Sequence, residues 1–274
     1  MTAADTVSVS DGGRAPFWKV WAILTAAGVL GVLAILPYSL AAQAGALEQI
    51  AHEAPIPLSA ILAIQLVQNA VFVAIAVAAG LWAARRLDLA TPIVDALAAG
   101  RAVPWKPRAA AISAAVGVAA ALLLLGLDVY VFGGLDGIDP AAPAARPPVW
   151  TGFLASFYGG ITEELFLRLF LLSLIALGLH AAATAGRPGS RPLSGWAFWT
   201  ANLAAAVIFG LGHLPATAML VPLTGEVILR AVVLNGIVGV ACGVLYRRFG
   251  LEWAILAHFS ADIVLHVLFP LISP

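Results

Sequence analysis

Seven apolar stretches govern what this chain can fold into. They run roughly over 17–41, 57–84, 109–133, 151–182, 195–214, 227–246 and 251–272. Each is long enough to cross a hydrocarbon core of ~30 Å as a helix. The whole chain is 62% hydrophobic and 10% charged, with a mean hydropathy of +1.00. An average soluble domain carries about 25% charged residues. So little polar surface cannot cover a water-soluble globule of 274 residues. The fold class is therefore all-α, a polytopic transmembrane helix bundle of seven spans, with eight as the alternative count. The first stretch begins near Phe17 and is followed by no convincing small-residue cleavage site, so it reads as a retained span and not a signal peptide. A formal net charge of zero gives no sign of nucleic-acid binding. The single cysteine, Cys242, permits no intrachain disulfide and predicts no cysteine-based metal site.

Between the spans the connectors are short. Residues 1–14 are polar and are expected to be a disordered cytoplasmic N-terminus. Residues 15–148 form the N-terminal helices, and 149–274 form the core of the same membrane domain. The longest connector, 85–108, can form a short interfacial helix ahead of Pro104, whereas 134–148 and 187–192 are rich in Gly and Pro and read as loops. The basic residues alternate across these connectors. Arg14, Lys19, Arg85, Arg86, Arg101, Lys106, Arg108, Arg187, Arg191, Arg247 and Arg248 fall on one side, Arg146 and Arg230 on the other. By the positive-inside rule the N-terminus is cytoplasmic. The remaining basic residue, Arg168, is deep in the fourth span.

Arg168 belongs to a small set of polar residues placed where lipid ought to exclude them. The fourth span carries Glu163, Glu164 and Arg168, within GGITEELFLR. The fifth ends in VIFGLGHLP, with Phe209 and His213; the sixth carries Asn235; the seventh, WAILAHFSADIVLHVLF, carries His258, Asp262 and His266. Ionisable groups inside a membrane are costly, face the bundle interior and mark function. Helical spacing divides them. Glu164 and Arg168 stand at i and i+4 and can pair. Glu163 is turned about 100° away and need not be neutralised by Arg168. Phe209 and His213 share a face, as do His258, Asp262 and His266. Depth agrees: Glu163 lies about 18 Å from one end of its span, and His258 and Asp262 about 10–16 Å from the opposite end of theirs. His213, near the end of the fifth span, fits this level least well. The glycines beside the glutamates and around His213 let helices approach closely, and Gly239 and Gly243 form a GxxxG packing pattern. His180 and Asp128, at span ends, are expected to be wetted.

Three of these stretches also match a family pattern. EELFLR fits EExxxR, FGLGH fits FxxxH, and HFSAD fits HxxxN/D, in that order on successive helices. Residues 150–272 thus resemble the CAAX protease and bacteriocin-processing (CPBP, or Abi) membrane endopeptidases, whose eukaryotic and archaeal members are the type II CAAX prenyl endopeptidases. The resemblance implies an intramembrane, glutamate-dependent endopeptidase of the cell membrane acting on a peptide or membrane-associated protein. Glu163 would be the base that activates water, His213 would position that water, and His258 and Asp262 would lie at the scissile carbonyl. Glu164 and Arg168 would hold the local structure. Phe209 and Asn235 take secondary places, the latter either lining the cavity or tying helices together. The resemblance implies no cofactor; zinc held by Glu163, His213 and His258 is the alternative. Where prenyl-protein members carry Asn, this chain has Asp262. An ionised carboxylate there would repel an oxyanion, so Asp262 is either protonated or orients His258 or His266, and orientation is the expected role.

Two other functions use the same residues. A non-catalytic scaffold or a bacteriocin self-immunity protein could keep this fold without its chemistry. A solute or proton pathway would use buried carboxylates, but spread through the membrane depth instead of gathered at one level. Retention of the full glutamate and histidine set favours the peptidase.

Overall fold

A computed structural model describes residues 14–135, 147–184 and 192–272. The polar N-terminal stretch and most of the two Gly- and Pro-rich connectors lie outside the described residues. Within them the chain is helical, and seven helices are long and apolar enough to cross a membrane. These are α1 (Phe17–Ala42), α3 (Leu58–Arg86), α5 (Pro107–Tyr130), α6 (Val149–Ala183), the α7–α8 unit (Gly195–Ala218), α9 (Gly225–Phe249) and α10 (Leu251–Ile272). The seven match the seven apolar stretches. Two short helices accompany them, α2 (Ala44–Glu53) and α4 (Pro92–Ala98). The second is the short helix expected in the long connector.

Proline and glycine set the boundaries. Pro92 and Pro107 open α4 and α5 at positions where a missing backbone N–H leaves nothing unpaired. Thr224 caps α9, its hydroxyl accepting from the Val227 N–H at 3.3 Å. Gly250, at φ +113°, turns α9 directly into α10, and a side chain there would meet Pro92 as well. Pro215 cannot continue α7, since it lacks an N–H and its ring would strike the preceding turn. The helix therefore stops at Gly212 and resumes as α8 (Leu214–Ala218), which leaves His213 at the break.

The helices meet backbone to backbone. A Cβ on Gly80 of α3 would come within 2.6 Å of the Leu169 carbonyl carbon in α6, and one on Gly117 of α5 would strike the Ala257 carbonyl in α10. The space beside Gly243 of α9 is filled by Asn202 of α7, whose amide donates to the Val240 carbonyl at 3.1 Å. In lipid, where apolar burial no longer distinguishes one helix from another, such close packing and interhelical hydrogen bonding supply the association. The GxxxG pair thus packs α9 on α7, as its spacing suggested. One side of the bundle is further tied by α4 and the residues leading into it: the Val94 N–H donates to Glu252 at 2.8 Å, and the Leu251 N–H to the Ala90 carbonyl at 3.0 Å.

One expectation about span ends is corrected, and the other gains a partner. His180 is buried at 1% exposure, accepting at Nδ1 from the Ser194 N–H across the α6–α7 junction at 3.5 Å, so it is packed and not wetted. Asp128 at the end of α5 is held in a bidentate pair with Arg230 of α9, at 2.6 and 2.7 Å. Neither partner was legible as such, because 102 residues separate them.

Gly117→Ala should lower the melting temperature of the detergent-solubilised protein, since an added methyl there meets backbone, at a cost of about 1–3 kcal/mol. Gly178→Ala, with open space around the added carbon, should leave it unchanged or raise it; equal effects from both would contradict the packing described.

Candidate active site

The polar set converges on one place. Backbone geometry prepares it: α6 departs from α-helical winding over Tyr158–Glu163 and Leu165–Leu172, which are π-helical. Such widened turns recur at functional sites, and no periodicity in GGITEELFLR announces them. The helix is pinned here by Thr162, whose hydroxyl donates to the Gly28 carbonyl of α1 at 2.9 Å.

Glu164 is fully buried, and Arg168 is 1% exposed. The guanidinium stands 3.1 Å from the Glu164 carboxylate and donates to the Gly239 carbonyl of α9 at 2.8 Å. The ring of Phe209 lies 5.5 Å from the same guanidinium, within cation–π range. This is the self-neutralising pair that the i, i+4 spacing predicted, extended by two partners that it did not.

Glu164 has a further duty. Its Oε1 lies 2.7 Å from Nδ1 of His258 on α10. A carboxylate oxygen accepts, so Nδ1 carries the proton and Nε2 is the nitrogen turned to the rest of the site. Around Nε2 stand the Glu163 carboxylate at 3.6 Å and the Asp262 carboxylate at 3.8 Å. The expectation that Asp262 orients His258 is thus corrected. The orienting hydrogen bond comes from Glu164, and 3.8 Å exceeds hydrogen-bond length. Asp262 instead sits on the Nε2 side of the ring, its other oxygen occupying the space where a Gly159 side chain would be. Gly159 was read as permitting helix contact; the feature it admits is a carboxylate.

Glu163, Asp262, His258, His213, Phe209 and Asn235 all line one cavity of about 1080 Å³. Glu163 keeps 19% side-chain exposure, in contrast to the sealed Glu164. His213 reaches the group because the cavity extends toward the end of α7 where Pro215 breaks the helix. Its Nδ1 bonds the Phe209 carbonyl at 2.9 Å, which leaves Nε2 free for the cavity. Phe209 stands between the histidines, 4.8 Å from the His213 ring and 5.6 Å from that of His258. Asn235 lines the wall while donating to its own helix at Ala231, 2.9 Å away. His266 completes the α10 stripe along the same wall and packs edge-on against Tyr38 at 5.6 Å. Tyr38 and Tyr158 are lining residues that no motif marked.

The residues able to gather about a cation differ from those expected. Among the described residues Glu164, Cys242 and His258 place ligand atoms within 4.8 Å of one another. Cys242 therefore joins a mixed set, which its solitude in the sequence had argued against. The fit is poor, because Glu164 already engages the Arg168 cation and a second cation would compete for the same carboxylate. Glu163, His213 and His258 are not gathered in this way.

Residues 145–264 match the family model for type II CAAX prenyl endopeptidase Rce1-like proteins. Over that segment, somewhat under half of its length, the chain is similar to this protease family, as EELFLR, FGLGH and HFSAD suggested. Comparison with curated proteins and with solved structures yields no match. The seven apolar helices define a multi-pass membrane protein, and the family that the segment resembles is one of proteases.

Replacing Arg168 by Met should strip membranes of folded protein, because stranding a buried charge costs about 3–5 kcal/mol. Glu163→Gln should leave the yield and melting temperature near those of the parent. Size-exclusion profiles of solubilised protein check both, and equal losses would dissolve the distinction between the two glutamates.

Proposed function

We propose that the protein is an intramembrane endopeptidase of the cell membrane in which Glu163 activates water against a peptide bond of a peptide or membrane-associated protein. The observation that carries this reading is the contrast between adjacent carboxylates: Glu164 sealed and doubly engaged, Glu163 facing the cavity beside His258. A base must reach water and substrate, and only Glu163 of the two does so.

In this reading Glu163 takes a proton from water as the oxygen attacks the scissile carbonyl. The same carboxyl then passes the proton to the departing amine as the C–N bond breaks. His213, with Nε2 turned to the cavity, positions the water. Negative charge gathers on the carbonyl oxygen. His258 protonated at both ring nitrogens donates from Nε2 to that oxygen, while Glu164 holds the ring from behind. A preset donor of this kind in a dry site is worth several kcal/mol to the transition state. Asp262, on the same side of the ring, serves when protonated as a second donor to the oxyanion. Base, proton donors and oxyanion partners all come from side chains, so the reading is of a cofactor-free enzyme with no nucleic-acid partner.

Glu163→Gln and His213→Ala, assayed in purified protein with a reporter peptide, should each cut turnover by roughly 10²–10⁴-fold, the usual contribution of a positioned acid–base group. Full activity in both would overturn the assignment of Glu163 and His213, and no cleavage by the parent protein would leave a scaffold or immunity protein in place of a peptidase. Loss of activity to a chelator, with rescue by zinc, would replace the metal-free version. Asp262→Asn, which keeps a donor, should retain far more activity than Asp262→Ala; the reverse order would contradict the donor role.

A further inference from the structure

The cavity has a direction. Its wall takes the second halves of α1, α5 and α10, the first halves of α3, α6 and α9, the end of α7 with α8, and part of α2. Successive spans alternate in direction, so all of these parts lie toward the same face of the bundle. Tyr38, Asn69, Asp128, Met219, Arg230 and Phe269 mark it.

The opposite face is closed. Beneath His258 the space is filled by buried Leu169, Leu172, Tyr246, Trp253 and Ala254. Below that, α4 is bonded to Glu252, the Ala90 carbonyl just ahead of α4 accepts from Leu251, and Trp105 packs on Trp253 at 5.4 Å. His258 is seven residues into α10 from this closed end, about 10 Å at the helical rise. The cavity is thus a deep well that leads to one face and is floored toward the other.

The closed face is the basic one. Among the described residues it holds every Lys and Arg except Arg168, inside the site, and Arg230, in the cavity wall and paired with Asp128. A Lys/Arg bias of this kind sets membrane orientation, with the richer face cytoplasmic.

We infer that the well opens on the extracytoplasmic side, so that the peptidase receives apolar polypeptide segments presented from that side and not chain ends displayed in the cytoplasm. The apolar lining, with Ile35, Leu62, Leu66 and Leu234 among its residues, suits such a segment. The volume of about 1080 Å³ lies just above the roughly 300–1,000 Å³ of ordinary ligand pockets. The substrate statement rests on the peptidase reading above, whereas the orientation does not.

The test reads orientation without activity. Wild-type protein is its own control, because its one cysteine, Cys242, is buried. Met219→Cys places a thiol at the exposed mouth and Val103→Cys one on the exposed closed face. With a membrane-impermeant maleimide on intact cells, M219C should label, and V103C only after permeabilisation. Inverted vesicles should reverse the pattern. Labelling of V103C in intact cells, with M219C reactive only in inverted vesicles, would overturn the inference and leave the peptidase reading untouched. With the expected labelling, a reporter peptide added outside should be cleaved by right-side-out vesicles and not by inverted ones. Cleavage by inverted vesicles alone would overturn the substrate statement. Cleavage by neither would count against the peptidase reading and leave the orientation standing.

Discussion

The carboxylate of Glu164 is the constraint on which the site depends. It is buried in a helix bundle that is itself surrounded by lipid, so its charge has to be answered locally. Arg168, one turn along the same helix, supplies the counter-charge. That arginine then has donors of its own to satisfy, and the Gly239 carbonyl of α9 takes one of them. The same oxygen of Glu164, Oε1, also accepts from His258 of α10. One ionised group therefore fixes three helices relative to one another. It also fixes the orientation of the imidazole that faces the cavity. Fold and site are held by the same interaction, which is why damage to Arg168 and damage to Glu163 belong to different categories.

Much of this was legible in the sequence, because lipid makes the rules strict. A span of about 20 apolar residues has one folded option here, so the seven helices follow directly from the pattern. Charges inside them stand out against that background. The i, i+4 spacing of Glu164 and Arg168 is local geometry and survives into the structure. What the sequence concealed is all non-local. Glu164 meets His258 across 94 residues, and Asp128 meets Arg230 across 102. No spacing rule reaches that far. The role of Asp262 was misread for this reason: the helical stripe shows that it shares a face with His258, but not that the orienting nitrogen is already taken by a residue from another helix.

Glycine shows the same limit. In the sequence, Gly159, Gly160, Gly239 and Gly243 all read as close-packing residues, and each of them is one. What occupies the vacated space differs in each case. Beside Gly243 it is the Asn202 amide, and beside Gly239 it is Ala206 of α7, with the Arg168 guanidinium just beyond. Beside Gly159 it is the Asp262 carboxylate. An alanine at 159 would put carbon where that oxygen stands and push Asp262 off the Nε2 side of His258. The smallest residue in the motif region thereby sets the position of one of its charges.

The π-helical winding of α6 bears on how consecutive glutamates come to hold opposite assignments. Neighbouring residues on any helix diverge in direction, but both sit at nearly the same depth, so a wall has to pass between them. Here that wall is the packing of α6 against α9 and α10 on one side and the cavity on the other. Glu164 points into the packed side, where Arg168, Gly239 and His258 surround it; Glu163 points into the open side, where it lines the cavity. Widening the turn at this point costs ordinary helical hydrogen bonding, a cost that a purely structural salt bridge would not require. It is accounted for if the segment must present two carboxylates at one depth to two environments, one dry and closed, the other open.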